Sequence, residues 1–215
     1  MKKASPSKGV IREDFDPAKL AKAYEQGGAT CLSVLTDAPS FQGSLANLEL
    51  CAQGGRHAGA AQGFHARLHQ VAEARANGAD CILIIMASVD DLGRQGAQRR
   101  RARSAHGRKV EIHVEEELKR ALQPRPASSA SIADLHTFKV DLATTERLAP
   151  KVPKDKIVVA ESGIETHADC VRLERAGVAT FLVGETLMRK KDVAAATRAN
   201  CWSARRAGAG ALRAG

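Results

Sequence analysis

Residues 156–164 read KIVVAESGI and residues 179–188 read ATFLVGETLM, and these two stretches decide the fold. Each is an apolar, β-branched run of strand length that ends in small or polar residues. The apolar positions of the intervening residues 166–177, THADCVRLERAG, recur at roughly helical spacing, and Gly177 stands where such a helix would end. A strand, a helix and a second strand in this order predict a parallel crossover unit.

The same alternation of strands and helices runs through the rest of the chain. The sequence predicts strands at residues 29–37, 79–87 and 110–114, and helices at residues 16–28, 44–50, 69–78, 115–122, 140–152 and 191–200. This order predicts an α/β fold with a parallel sheet, of which the (βα)8 TIM barrel is one form. We expect one domain over residues 1–215. Residues 200–215 form a tail that the alternation of strands and helices does not assign to the barrel.

In such barrels the active site lies at the C-terminal ends of the strands, and a phosphate often binds after the last two. Gly163 and Gly184 follow the two strands of the deciding stretch, where a missing side chain lets a phosphate approach the backbone. Two ordinary turns would give the same pattern.

Four windows interrupt the alternation because they carry few or no large apolar side chains. They cover residues 52–68, 93–109, 123–131 and 200–215. Two of them lie where a buried strand is expected, and one lies where an amphipathic helix is expected. Since Ala, Gly, Gln and Arg make a poor core, we expect these windows not to complete the barrel.

The net charge of +9 is concentrated in two places. Residues 92–109 contain seven cationic side chains and no acidic one. Four more arginines lie near the C-terminus, at Arg198, Arg205, Arg206 and Arg213. Polyanion binding by the whole surface is therefore excluded, and only these patches could support it. The five cysteines form no CxxC motif and predict reduced, mostly buried thiols of a cytoplasmic protein. No apolar run has membrane-spanning length.

Several stretches together resemble the indole-3-glycerol-phosphate synthase family. They are KKASPSKG at the start, residues 15–44, VEIHVEEEL, residues 134–150, VVAESGI and FLVGETLM. The resemblance implies a (βα)8 TIM barrel that is incomplete at its N-terminus, since residues 1–215 lack the family's N-terminal helix and most of its first strand. It also implies a lyase of tryptophan biosynthesis, which closes an indole ring on 1-(2-carboxyphenylamino)-1-deoxyribulose 5-phosphate and releases carbon dioxide and water. It implies that the enzyme needs no cofactor or metal and does not bind a membrane. Its partners would be a small phosphorylated substrate and, as a further possibility, other tryptophan-pathway enzymes.

The resemblance also assigns roles to individual residues. Lys2 would be a catalytic lysine at the end of the first strand, Glu111 a general acid/base, and Glu161 a polar group on the substrate. Residues that line the substrate or its phosphate would be Ser5, Phe64, Ser162, Gly163 and Gly184. Other interpretations remain open: a solvated terminal lysine, a turn serine, and a surface glutamate at a strand end.

Three positions depart from the family pattern. Gln62 replaces a general-acid lysine, and Ser131 and Ala133 replace an asparagine and an arginine. With suitable codons, residues 57–67 read one base later encode Leu-Arg-Lys-Asp-Phe, the motif that the family has there. We therefore hypothesise compensating frameshifts in the interrupted windows. The chain as written is expected to be nearly inactive, because an amide cannot donate a proton as a lysine does.

Two other functions remain as alternatives. The first is another phosphate-binding barrel enzyme, such as phosphoribosylanthranilate isomerase, although the Cys/Asp pair that it would need is not found. The second is a catalytically inactive relative that binds nucleic acid through the basic stretch, residues 94–109. A metal site at His65 and His69 is disfavoured because no third ligand accompanies them.

Overall fold

A computed structural model describes residues 1–55, 58–62, 68–88, 107–122, 129–132 and 141–201. The strands are β1 Ala4–Ser5, β2 Gly9–Val10, β3 Cys31–Leu35, β4 Ala58–Gln62, β5 Cys81–Ile85, β6 Gly107–Ile112, β7 Ser129–Ile132, β8 Ile157–Ala160 and β9 Thr180–Phe181. The helices are α1 Pro17–Gln26, α2 Ala38–Phe41, α3 Leu45–Gly54, α4 Leu68–Ala76, α5 Glu115–Ala121, α6 Leu142–Leu148, α7 His167–Arg175, α8 Glu185–Met188 and α9 Val193–Cys201.

Strands β3 to β9 form one parallel sheet in which every strand pairs with its neighbours in chain order. This sequential order is that of a (βα)8 barrel, and it confirms the predicted fold class. Strands β1 and β2 form a separate antiparallel pair. The backbone N–H of Leu35 donates to the carbonyl oxygen of Met1 at 3.1 Å, so the start of the chain lies beside β3. Within the described residues, backbone pairing does not close the sheet into a ring.

Side-chain caps explain why the predicted helices begin where they do. Asp16 caps α1 by accepting from the backbone N–H of Lys19, and Pro17 occupies the first helical position. Thr166 and Asp169 form a reciprocal capping box at the start of α7. This helix ends at Arg175, and Gly177 just beyond its cap has a φ of +84°, the left-handed conformation that favours glycine. The deciding strand–helix–strand unit is therefore confirmed.

The apolar faces of the strands pack against the helices and form the core. The largest cluster joins β3, β5 and β6 to α1 and α3, and includes Leu20, Leu48 and Ile84. A second cluster joins β7 and β8 to α6 and α7 around Leu148 and Leu173. None of the helices that the structure describes is long and apolar enough to cross a membrane.

The expectation that the interrupted windows could not supply strands is wrong in two cases. Strand β4 lies within residues 52–68, and β7 begins within residues 123–131. Both run parallel between two neighbours, and β4 pairs with β3 from Cys31↔Ala58 to Leu35↔Gln62. Backbone hydrogen bonds to two flanking strands hold such segments even where the sequence has weak strand preference, because context dominates β-propensity.

Two smaller expectations also need correction. The strand predicted at residues 110–114 instead covers Gly107–Ile112. It ends early because the backbone N–H of His113 donates to Glu117 at 2.7 Å and Val114 is the N-cap of α5. Cys31 is exposed rather than buried, since it is the first residue of β3 at the edge of the described sheet.

Candidate active site

Strand β6 carries polar side chains on one face and apolar side chains on the other. Val110 packs in the largest core cluster and Ile112 packs beside Leu118 of α5. Lys109 and Glu111 lie on the opposite face, and both are buried, with exposed fractions of 8% and 3%. Side chains alternate along a strand, so both polar groups point to the same buried face of the sheet, which we call the interior face. The alternative that Glu111 is a surface glutamate is therefore wrong.

Glu161 joins this interior face from just beyond the end of β8, which is separated from β6 by β7. Its Oε1 lies 2.6 Å from Nζ of Lys109, and both side chains are about one-tenth exposed. The hydroxyl of Ser131 on β7 also donates to the Glu161 carboxylate. A buried carboxylate is costly unless it is paired and hydrogen-bonded, and Glu161 has both kinds of partner.

Glu111 is held by a histidine rather than by a lysine. Its Oε1 lies 3.1 Å from Nε2 of His113, which follows the end of β6. The other ring nitrogen, Nδ1, lies 3.1 Å from Oε2 of Glu117 in the first turn of α5. Burial raises the pKa of Glu111, and the His113 contact offsets only part of this rise. The carboxyl group can therefore hold a proton at a higher pH than an exposed glutamate.

Lys2 lies near the same end of the sheet and is half-buried. Burial lowers its pKa, while the negative charges of Glu185 and Glu161 partly oppose this effect. The interpretation of Lys2 as a fully solvated terminal lysine does not fit this position. Lys2 and Glu161 are thus electrostatically coupled, although they come from opposite ends of the chain.

The predicted phosphate residues lie on the two loops that follow β8 and β9. Gly163 adopts a φ of +87°, a conformation that disfavours any side chain. A Cβ atom added at Gly184 would meet no atom within 4 Å, so the space in front of this residue is open. The hydroxyl of Thr186 donates to the carbonyl oxygen of Ile164 at 3.3 Å and ties the two loops together.

Ser5 and Ser162 occupy different surroundings. The Ser5 hydroxyl is buried and has no hydrogen-bond partner in the described part of the chain. A buried hydroxyl without a partner carries a desolvation cost that a bound ligand would relieve. Ser162 is partly exposed beside Gly163, at the open end of β8.

The structure describes only some of the other positions that the sequence analysis singled out. Gln62 is the last residue of β4, so its backbone lies at the C-terminal end of a strand, where the resemblance expects a lysine. Phe64 and Ala133 lie outside the described residues. Ser131 replaces an asparagine, yet it still contributes a hydrogen bond within the site through Glu161.

Sequence reasoning missed three residues of this cluster: Lys109, His113 and Glu117. Lys109 was grouped with the exposed basic stretch, but it is buried and belongs to β6. The alternation that placed Glu111 would have placed Lys109 on the same face, two residues earlier, and His113 two residues later. No group of three or more His, Cys, Asp or Glu side chains in the described residues is arranged to hold a metal ion.

Comparison with solved structures supports the fold. Thiamine phosphate pyrophosphorylase from Pyrococcus furiosus superposes with a TM-score of 0.69 at 16% identity, covering 90% of this chain and 91% of that chain. 3-Hexulose-6-phosphate synthase from Salmonella typhimurium gives a TM-score of 0.69 at 12% identity, covering 87% of this chain and 91% of that chain. At such identities the similarity shows the shared fold alone.

Comparison of sequences is more specific. The family model described as indole-3-glycerol phosphate synthase matches residues 1–199. Indole-3-glycerol phosphate synthase from Azospirillum brasilense is 50% identical over 202 residues, which cover 93% of this chain and 76% of that protein. The protein of the same name from Rhodospirillum rubrum is 47% identical over 205 residues, with coverages of 93% and 76%. The chain therefore belongs to the indole-3-glycerol phosphate synthase family, whose members are decarboxylating, ring-closing lyases of tryptophan biosynthesis.

Proposed function

We propose that Glu111, Glu161 and Lys2 carry the ring closure of 1-(2-carboxyphenylamino)-1-deoxyribulose 5-phosphate to indole-3-glycerol phosphate. The observation that supports this assignment most strongly is the burial of Glu111 at 3% exposure among ionisable groups at the strand ends. A carboxyl group in such surroundings is a common design for general acid–base catalysis.

Glu111 would exchange protons with the substrate. Because burial raises its pKa, the protonated form persists closer to neutral pH than for an exposed glutamate. This lets one side chain donate a proton to the departing hydroxyl group and later accept one. General acid–base groups are most effective when their pKa lies near the working pH.

Lys2 and Glu161 would bind and orient the substrate. Lys2 supplies a cation for the substrate carboxylate, and its lowered pKa brings proton release within easier reach. Glu161 is fixed by Lys109 and Ser131, so it can present its remaining acceptor positions to a substrate hydroxyl without reorganising.

The phosphate group would sit between the loops after β8 and β9. Ser162 and the backbone N–H groups around Gly163 and Gly184 would donate to its oxygens, and the buried hydroxyl of Ser5 would line the substrate nearby. This arrangement matches the phosphate sites that (βα)8 enzymes often build from their last two loops. Phe64 would also line the pocket, and this assignment rests on the resemblance alone.

Gln62 would limit the rate of the chain as written. The resemblance expects a lysine at the end of β4 to protonate the substrate carbonyl during ring closure. A neutral amide can donate a hydrogen bond but cannot deliver a proton at useful cost. We therefore propose a slow enzyme whose remaining acid–base groups are intact, acting as a single cytoplasmic domain alongside other tryptophan-pathway enzymes.

The assignment is tested by following indole fluorescence as the substrate is converted. We expect Glu111→Gln to lower kcat/KM by about 10²–10⁴-fold, in the chain as written and with Gln62→Lys added. The matched control is Glu146→Gln, which removes a carboxylate that pairs with Arg172 on the outer helices. This control should retain the activity of its parent. Full activity of Glu111→Gln would overturn the proposed role.

A further inference from the structure

The cluster holds two side chains that the proposed reaction does not use, His113 and Glu117. Both are buried, with exposed fractions of 4% and 7%. They form a continuous chain with Glu111: carboxylate, imidazole, carboxylate, joined by two contacts of 3.1 Å. Buried titratable groups in direct contact with an acid–base candidate can control its proton.

Glu117 fixes the imidazole ring of His113 from behind. Its Oε2 accepts the backbone N–H of His113 at 2.7 Å and also contacts Nδ1 of the ring. Since an ionised carboxylate only accepts hydrogen bonds, Nδ1 must carry a proton. The same oxygen therefore fixes both the position of the ring and the protonation of one nitrogen.

The remaining contact, between Nε2 of His113 and Oε1 of Glu111, needs one proton between the two atoms. If Nε2 carries it, the pair is imidazolium and carboxylate. If Oε1 carries it, the pair is imidazole and carboxylic acid. Two bare acceptors at 3.1 Å in a buried site would repel, so the contact itself indicates that a proton is shared.

The surrounding charges favour retention of this proton. Burial alone would lower the pKa of His113, but its hydrogen bonds and the charges of Glu111 and Glu117 raise it overall. Glu161 on β8 adds negative charge near Glu111, and Lys109 on β6 opposes it. Among the described residues, the charged groups that act on the pair include Glu117, Glu161 and Lys109.

We propose that His113, anchored by Glu117, is a positioning residue that shares one proton with Glu111 and returns it during turnover. When Glu111 gives a proton to the substrate, the proton on Nε2 moves to Oε1 and from there to the substrate, so that imidazolium and carboxylate become neutral imidazole and carboxylate. When Glu111 accepts a proton, the reverse transfer restores the imidazolium. This inference rests on the proposed role of Glu111, but the proton sharing itself does not depend on activity.

Nitrogen NMR of the histidine rings in the full chain tests the sharing directly. His113 is assigned with His113→Gln. We expect both ring nitrogens of His113 to stay protonated above a pH of about 6.5, the ordinary pKa of a histidine. Glu111→Gln should lower the titration midpoint of His113 by about one pH unit or more and leave the remaining proton on Nδ1.

Two variants that each remove one negative charge from α5 test whether Glu117 anchors His113. Glu117→Gln keeps an acceptor for Nδ1 but removes its charge, so the titration midpoint of His113 should fall. Glu116→Gln makes the same chemical change on the same turn at an exposed position and should leave the midpoint in place. Equal shifts in both variants, a His113 midpoint at or below the ordinary histidine value of about 6.5, or a neutral ring protonated on Nε2 would each overturn the proposal.

The pH profile of the reaction separates this inference from the proposed function. Loss of charge on His113 should raise the pKa of Glu111. In Glu117→Gln, the part of the kcat/KM pH profile that reports the ionisation of Glu111 should therefore move to higher pH. The same variant should reduce kcat by roughly 10–100-fold, a range typical of residues that orient an active group. A shifted ring titration with an unmoved pH profile would confirm the shared proton and contradict the role of Glu111. An ordinary ring titration would contradict the shared proton in either case.

Discussion

Carboxylates in the interior of the sheet and carboxylates on the outer helices have opposite electrostatic surroundings. Glu111 is buried on β6, and burial raises its pKa. Glu115 and Glu146 lie on α5 and α6, where hydrogen bonds to Lys151 and Arg172 lower theirs. The pKa of the interior Glu111 is therefore raised, whereas the pKa values of the two outer glutamates are lowered. The difference identifies the interior group as the one suited to exchange protons near neutral pH.

The partners also differ between the two regions. The outer contacts are salt bridges between partly exposed side chains, such as Glu146 with Arg172 at 2.7 Å. The interior groups come from four elements, β6, β7, α5 and the end of β8, and form a network of two hydrogen-bonded sets, Lys109–Glu161–Ser131 and Glu111–His113–Glu117. The charges of Lys109 and Glu161 act on Glu111 and link the two sets. Exposed pairs contribute little because water screens them, whereas a buried network is strongly coupled. Removing one member should therefore have very different consequences in the two regions.

The largest effect on stability is expected for Lys109→Met. This change leaves Glu161 buried without its cation, which typically destabilises a protein by about 3–5 kcal/mol. Adding Glu161→Gln removes the stranded charge, so the double variant should recover part of the loss. Urea unfolding of the two single variants and the double variant gives the coupling energy. Strictly additive effects would show that the two side chains do not interact.

The pH dependence of stability should be reversed between the two regions. The raised pKa values of Glu111 and His113 mean that the folded state holds these protons more tightly than the unfolded state. Their contribution is therefore present at low pH and is lost as pH rises through the folded-state values. Glu115 has a lowered pKa, so its contribution is present above the unfolded value and is lost as pH falls.

Paired unfolding curves across the pH range check this reversal. The stability of Glu111→Gln relative to the parent should improve as pH rises. The stability of Glu115→Gln relative to the parent should improve as pH falls. Parallel trends for the two variants would contradict the opposite surroundings that the structure gives these groups.

The smallest effect is expected on the outer helices. Arg172→Gln removes a two-pronged contact with Glu146, through Nε and one terminal nitrogen, each at 2.7 Å. Both side chains are substantially exposed, so the thermal midpoint at neutral pH should stay unchanged within error. A decrease comparable with that of Lys109→Met would mean that the outer pairs matter as much as the interior network.

Much of the fold was predictable because its strongest strands are apolar and its helices carry caps. Residues 156–188 specified the crossover unit directly, and Asp16 and Gly177 marked helix ends that the structure confirms. Strands β4 and β7 were not predictable, since their sequences, AGAAQ and SASI, have little strand preference. They form because parallel neighbours on both sides hydrogen-bond to them, which no local pattern reveals.

The candidate site was predictable only where a motif marked it. Glu111 and Glu161 follow from the resemblance together with their positions at strand ends. Lys109 was hidden by its place in a run of cations, which usually indicates an exposed surface. Glu117 was hidden because it lies on a helix, and its contact with His113 depends on how α5 turns back against the end of β6.

We infer that the interior network is a ring-closing centre in which Glu111, Glu161 and Lys2 are in place and the proton donor at the end of β4 is missing. The most direct test compares the rate of indole-3-glycerol phosphate formation by the chain with that of Gln62→Lys. We expect the variant to gain about 10²–10⁴-fold in kcat, because a general acid is restored, with little change in KM. An unchanged rate, in a variant that binds the substrate as the parent does, would contradict it.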